Sequence, residues 1–308
     1  MGLPPDVFKR LSRLNRPVVR EQLTTADPVT PRAAPAPAAA SAEGEDVTIE
    51  RLIPGQERPA LGGRFYSVRR QAADFLAVPG PADEEAEPPD LVARYRRLFF
   101  GAGIAAAPDA QPETIRPLVR TDPSKITYLD IETCGLAGEP VFLIGLMRYD
   151  GRTLQIDQFL ARDYAEERPL LAGFWEEIRG AACLVTFNGK TFDVPMIESR
   201  SMASGIFTFP RVPAHVDLLH EARRRWKREL PNCRLQTLEE LVCGHRRTGD
   251  IPGSDIPAAY HDFVRARRGD DRIRRARAAR TLQAIMHHNA LDLVTMAELV
   301  THLLSSRP

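Results

Sequence analysis

The stretch Ile126–Thr133, ITYLDIET, decides the reading of this chain. Its β-branched and aromatic residues mark a strand. Side chains alternate faces along it, so Ile126, Tyr128, Asp130 and Glu132 share one side, with the two carboxylates about 6.6 Å apart. An Asp in mid-strand is disfavoured and needs a reason. Either the pair sits at a strand end facing water, or it holds a metal ion.

Working outward, 141–149 and 154–160 read as two more strands separated by Gly-containing turns, which predicts an antiparallel meander. A helix follows at 166–179, a short buried strand at 182–187, a helix at 194–201 and a strand at 215–219. Further helices are expected near 221–227, 235–242 and 272–303. Three strands, a helix and then alternating strand and helix give an α/β domain over 124–308, with a mixed five-stranded sheet flanked by helices. A mostly irregular extension precedes it. Residues 1–46 are a basic start and a Pro/Ala-rich disordered linker. Residues 47–123 form a small lead-in with strand-like pieces, VTIERLI and GRFYSVRR, a Pro and acid-rich stretch at 79–90, and one amphipathic helix at 91–100.

Composition sets outer limits. The 308 residues are 43% apolar and 27% charged, with 26 Pro and 20 Gly, which excludes collagenous, coiled-coil and wholly disordered chains. No apolar run approaches the roughly 20 residues a membrane-spanning helix needs. The start, MGLPPDVFKRLSRLNRP, lacks the apolar core of a signal peptide. A cytoplasmic protein without a membrane partner is expected. Cys134, Cys183, Cys233 and Cys243 form no C-x-x-C pair and read as reduced thiols. With a net charge of only +1, any attraction to nucleic acid must come from local clusters. Two exist: Arg223, Arg224, Arg225, Lys227, Arg228 and Arg234, then eight arginines from Arg265 to Arg280. Trp226, inside the first, is either a stacking surface for a base or a core residue.

Two more carboxylates accompany the first pair. In CLVTFNGKTFD a buried strand runs through Asn188-Gly189 to a helix start, where Asp193 reads as exposed, either capping that helix or serving chemistry. In MHHNALDLVTMAELV, Asp292 shares a helical face with Ile285, Met296 and Leu299. A carboxylate against such a face is costly unless paired or bound to a cation.

The order Asp-x-Glu on a first strand, Asp after a later strand and Asp on a late helix resembles the DEDD superfamily of 3′-to-5′ exonucleases, built on the ribonuclease-H-like fold. The segments ITYLDIETCGLAGEPVFLIGL, LVTFNGKTFDVPMIESR, HVDLLHEARRRW, DIPGSDIPAAY and HHNALDLVTM are similar to the YprB-type ribonuclease-H-like family over about 124–304. LIPG with the following GRFY resembles the lead-in of some members. The resemblance implies that Asp130, Glu132, Asp193 and Asp292 hold two divalent cations. Oxygen ligands select Mg²⁺ or Mn²⁺, and two such ions can activate water on one side of a phosphodiester and stabilise the leaving 3′-oxygen on the other.

Subgroups of the superfamily place their general base as His five residues before the last Asp or Tyr four before it. Here His287 has the first spacing and His288 the second. Four residues return to nearly the same helical face and five do not, which favours His288. The resemblance further implies that Asn188 and Phe192 position substrate. Lys190 in the same turn is either a phosphate contact or a solvated surface lysine, and Asp217 in HVDLLH is an accessory acidic position or a plain strand-end Asp. The function expected is a metal-dependent 3′-to-5′ exonuclease acting on single-stranded DNA or RNA ends. A structure-selective endonuclease and a non-catalytic nucleic-acid-binding module are the alternatives.

Overall fold

The computed structural model describes residues 47–76, 91–101, 111–136, 138–247 and 249–305. The expected linker in 1–46 and the acidic stretch at 79–90 lie outside the described residues. The elements in chain order are α1 (Ile49–Leu52), β1 (Gln56–Ala60), β2 (Gly63–Gln71), α2 (Leu91–Phe100), α3 (Arg116–Arg120), β3 (Ile126–Thr133), β4 (Val141–Tyr149), β5 (Leu154–Leu160), α4 (Glu167–Glu177), β6 (Cys183–Thr186), α5 (Asp193–Ala203), β7 (Ala214–Asp217), α6 (Leu218–Trp226), α7 (Leu235–Leu238), α8 (Ile256–Arg267) and α9 (Arg272–Ser305). α7 runs on through a π-helical turn, Glu239–Cys243.

The strands form one mixed sheet in the order β1-β2-β5-β4-β3-β6-β7. Successive strands from β1 to β3 in that order pair antiparallel, while β6 pairs parallel with β3 and β7 parallel with β6. Period-two alternation sorts β3 between two hydrophobic clusters. Leu129 and Ile131 pack with Leu170 and Phe174 of α4, and Ile126 and Tyr128 pack with Ala290, Leu293 and Ala297 of α9. β4 is covered on both sides, with Val141 to Met147 buried throughout, as a central strand requires.

The sheet has seven strands rather than the expected five. The two extra strands come from the lead-in: GRFYSVRR becomes β2 and pairs along β5 from Tyr66↔Leu160 to Gln71↔Gln155. β5 is almost wholly buried, so without β2 it would expose an apolar edge and its unpaired backbone groups. Phe65, Tyr66 and Val68 are buried in return. Arg162 clamps the join. Its guanidinium, 7% exposed, meets Glu50, Glu57 and Glu166 at 3.0, 2.9 and 2.6 Å. Three carboxylates around one buried cation offset its desolvation.

Two local readings are corrected. VTIERLI forms the helical turn α1 instead of a strand, because Ile49 and Ile53, four residues apart, bury together while Arg51 stays exposed. A strand would have put Arg51 on their face. The stretch between the helices expected at 235–242 and 272–303, to which no element was assigned, holds α8, which DIPGSDIPAAY enters at Ile256 with Pro257 in the first turn, where its missing N–H costs nothing.

α9, 34 residues long and so about 51 Å from end to end, crosses from one cluster to the other. Met286 belongs to the first and Ala290 to the second. His288 and Asn289 lie at that crossing.

Candidate active site

Each acidic side chain is delivered by a different local device. On β3 the apolar face of Ile126 and Tyr128 gives way to Asp130 and Glu132, with an irregularity in the β3–β4 ladder just after Glu132. Asp193 opens α5. It is 5% exposed, which corrects the expectation of an exposed carboxylate. The chain turns back between Thr186 and Asp193 through Asn188, at φ 68°, and through Gly189, where a Cβ would stand 2.5 Å from that of Thr186. That turn carries Asp193 under β3, where it accepts from the Ile131 backbone and from its own N–H.

Asp217 braces the same turn. Its oxygens accept from the backbone N–H groups of Asn188 (2.9 Å), Lys190 (3.1 Å) and Leu219 (3.1 Å). Asn188 and Lys190 are themselves exposed, and Phe192 is half-buried against the core. Trp226 is 2% exposed and packs in the core instead of offering a stacking surface.

The last group comes from α9. His288 and Asp292 stand one turn apart with Nε2 3.7 Å from Oδ2. The other ring nitrogen, Nδ1, lies 2.8 and 2.9 Å from the two oxygens of Asp250. His287 points elsewhere, its ring 5.3 Å from that of Phe75, lining a cavity of about 290 Å³ with Arg247 and Thr295.

Electrostatics ties the carboxylates into one unit. Burial first, then the charges of Asp292, Glu132 and Asp193, hold Asp130 well above the usual carboxylate range, against the hydrogen bond from Asn289. Burial pushes Glu132 up to about 8; His288 works against the shift and Asp292 and Asp193 add to it. Burial, with the charges of Asp217 and Asp292, raises Asp193 to about 7, although two backbone hydrogen bonds oppose it. Burial alone would lower His288, but its hydrogen bond to Asp250 and the charges of Asp292 and Glu132 outweigh that and raise it.

Four contributors escaped the sequence reading. Arg247, buried on the loop between Gly244 and Gly249, donates to Asp292 Oδ1 (2.5 Å), Glu239 Oε2 (2.7 Å) and Asp250 Oδ2 (3.2 Å). Asp250 holds His288. Asn289, fully buried, donates from Nδ2 to Asp130 Oδ2 at 2.7 Å. Gln158 on β5 donates from Nε2 to Asn289 Oδ1, also at 2.7 Å. One signal was available for the last two: Gly145 in the middle of FLIGLM. A glycine inside a buried strand marks a close approach, and here a Cβ would come 2.2 Å from Asn289 Oδ1.

Among the described residues, no three carboxylate, imidazole or thiol groups already stand at metal-ligand spacing. The donor set nonetheless fits hard divalent cations: Asp130, Glu132, Asp193 and Asp292 offer only oxygen. Their mutual repulsion in a buried site is the excess negative charge that such ions offset. Arg247 supplies part of that compensation from within the chain.

Residues 127–304 match the model of the RNase_H_2 family of the RNase_H superfamily. The protein YprB of Bacillus subtilis (strain 168) is 32% identical over 185 residues, which make up 58% of this chain and 42% of that protein. The chain thus spans less than half the length of that curated relative. Among solved structures, the family B DNA polymerase of the hyperthermophilic archaeon Pyrobaculum calidifontis aligns at a TM-score of 0.44 and 17% identity, over 58% of this chain and 24% of that one.

Proposed function

The chain belongs to the RNase_H superfamily, and from that premise we propose that it is a metal-dependent nuclease, a 3′-to-5′ exonuclease hydrolysing phosphodiester bonds of single-stranded DNA or RNA. One observation carries the reading. Four carboxylates from three separate elements converge so closely that burial and mutual charge raise Asp130, Glu132 and Asp193 together. Such crowding destabilises a fold unless the site exists to bind positive charge.

Asp130, Glu132, Asp193 and Asp292 would hold two Mg²⁺ or Mn²⁺ ions, which supply a nucleophilic water and charge stabilisation at the leaving oxygen. His288 is the general base. Its Nε2 faces the cluster beside Asp292, and Asp250 at Nδ1 fixes the ring and offsets the imidazolium that forms when Nε2 takes a proton from water. Asn188 and Lys190, both exposed on the turn, meet the substrate backbone, and Phe192, half-buried against the core, adds an apolar contact for the substrate. Asp217 keeps that turn in shape, with three backbone N–H groups on its two oxygens.

The test is an oligonucleotide assay on DNA and RNA, single-stranded and duplex, labelled in turn at each end, with Mn²⁺, Mg²⁺ or EDTA. Wild type is compared with Asp130→Asn. Metal-dependent shortening from the 3′ end that the substitution abolishes is the expected result. Internal cuts would replace the exonuclease by an endonuclease, and binding without cleavage would leave a non-catalytic module.

A further inference from the structure

Resting on the nuclease reading, we propose that Asn289 is a positioning residue for Asp130 and that Arg70, on a strand outside residues 127–304, anchors the donor end of the hydrogen-bonded chain behind it. Asp130, Gly145, Gln158 and Val68 stand opposite one another on β3, β4, β5 and β2. The row runs beneath α9, and the missing side chain at Gly145 leaves the gap that the Asn289 carboxamide occupies. Arg70 lies two residues beyond Val68 and so projects on the same face of β2.

The four polar groups form a hydrogen-bonded chain whose polarity is set at both ends and in the middle: Arg70 can only donate, while the Met286 carbonyl and the ionised Asp130 carboxylate can only accept. A guanidinium only donates. Arg70 Nη2 donates to Gln158 Oε1, so that oxygen must accept and Gln158 Nε2 must donate. It does so to the Met286 carbonyl and to Asn289 Oδ1, both at 2.7 Å. With Oδ1 accepting, Asn289 is left with Nδ2 toward Asp130, where it reaches Oδ2 at 2.7 Å and the backbone oxygen at 3.2 Å. Reversing Asn289 would set a carbonyl oxygen against the Asp130 carboxylate, and reversing Gln158 would set one against the Met286 carbonyl and Asn289 Oδ1.

The donor end of the chain is itself held in place. Arg70 stacks over the Phe75 ring at 4.6 Å and also reaches the Met286 carbonyl at 3.4 Å. Tying Oδ2 fixes the rotation of the Asp130 carboxylate relative to Glu132, Asp193 and Asp292. Partners of this kind orient metal-binding oxygens. The lead-in therefore contributes to the site as well as closing the sheet edge.

Isosteric polarity reversal tests the chain. Gln158→Glu keeps the shape but, when ionised, only accepts, so the Asn289 amide is then contested by two carboxylates and its bond to Asp130 is weakened. Arg70→Met removes the donor, Arg70→Lys restores one, and Arg69→Met alters the neighbouring outward-facing arginine. Three measurements on the full chain decide the matter: Mn²⁺ affinity by electron paramagnetic resonance, kcat and KM on a single-stranded oligonucleotide, and the Asn289 side-chain amide signals in ¹H–¹⁵N spectra of metal-free protein, assigned by their loss in Asn289→Asp.

Gln158→Glu and Arg70→Met should weaken Mn²⁺ binding by about tenfold or more, lower kcat at unchanged KM and move the amide signals. Arg70→Lys should recover most of each, and Arg69→Met should alter none. Wild-type Mn²⁺ affinity and unmoved amide signals in both variants overturn the proposal. If Gln158→Glu fails to fold, Arg70→Met at the half-buried end of the chain carries the test. A wild type that neither binds Mn²⁺ nor cleaves sinks the nuclease reading instead, and the amide signals of the metal-free protein still decide the relay.

Discussion

Replacing Gly145 by Ala adds one methyl at the tightest point beneath α9. The new Cβ would sit 2.2 Å from Asn289 Oδ1 and 2.9 Å from Cγ and Nδ2, whereas ordinary contact begins near 3.4 Å, so the carboxamide must retreat by more than an ångström. Asn289 is fully buried and hydrogen-bonded at both ends, and it has nowhere to move without breaking one of those bonds. Overpacking of this kind costs about 1–3 kcal/mol, and losing a hydrogen bond to a charged group costs about 1.5–3 kcal/mol more. Removing a flexible glycine from a strand returns about 0.5–1 kcal/mol. The net expectation is a destabilisation of about 2–5 kcal/mol, read by urea unfolding under far-UV circular dichroism. The cause is isolated by a double-mutant cycle with Asn289→Ala. The methyl then occupies the space the carboxamide left, so the double variant should be more stable than the sum of the singles by about 1–3 kcal/mol. Additive effects, or a Gly145→Ala protein within about 0.5 kcal/mol of wild type, would refute the argument that Asn289 is why this strand carries glycine.

Other outcomes follow from the same geometry. His288→Ala should lower kcat by about 10²-fold or more, the usual contribution of a general base, while His287→Ala, which faces Phe75, should leave it nearly unchanged; the reverse order would reassign the base. Metal-free protein should lose stability from pH 6.5 to 8. Glu132 (about 8) and Asp193 (about 7), with Asp130 also raised, bind protons in the folded state that the unfolded chain releases near pH 4, so stability falls as pH rises through that window. His288 and His245, both raised, act in the same direction, whereas His215 (about 4) and His287, both lowered, oppose it only below about 6.5. Thermal unfolding in EDTA across this range should show a falling Tm that excess Mg²⁺ restores, and a Tm rising with pH would contradict the sign. Charge reversal of Arg274 and Arg277, both exposed near the start of α9, should weaken binding of single-stranded oligonucleotides and flatten its salt dependence by about 0.7 in log–log slope per lost phosphate contact; an unchanged slope would remove that helix end from the interface.

Apart from α8, the order of elements from β3 onward was legible because period-two and helical hydrophobic patterns are local properties of the chain. ITYLDIET fixed the first strand and set Asp130 beside Glu132. HHNALDLVTM set His288 and Asp292 on one face of α9, and the four-residue spacing alone separated His288 from His287. Burial was less accessible. Asp193 reads as a surface helix start until the turn at Asn188 and Gly189 is seen to fold it under β3.

Which strands are neighbours is not a local property, and there the sequence fell short. GRFYSVRR announces a strand but not that β5 is its partner, because the pairing spans some ninety residues and is chosen by which edge needs covering. The contacts that orient the site have the same character. Arg70 to Gln158, Gln158 to Asn289 and Asn289 to Asp130 join residues 88, 131 and 159 positions apart, and Arg247 reaches Asp292 across 45. The sequence by itself determined which oxygen donors are available to the candidate site, since carboxylates placed on apolar faces must be protonated, paired or bound to a cation wherever the chain folds. Tertiary structure decided which oxygen each one presents, because hydrogen-bond direction depends on the polarity of groups that meet only when the sheet and α9 have packed.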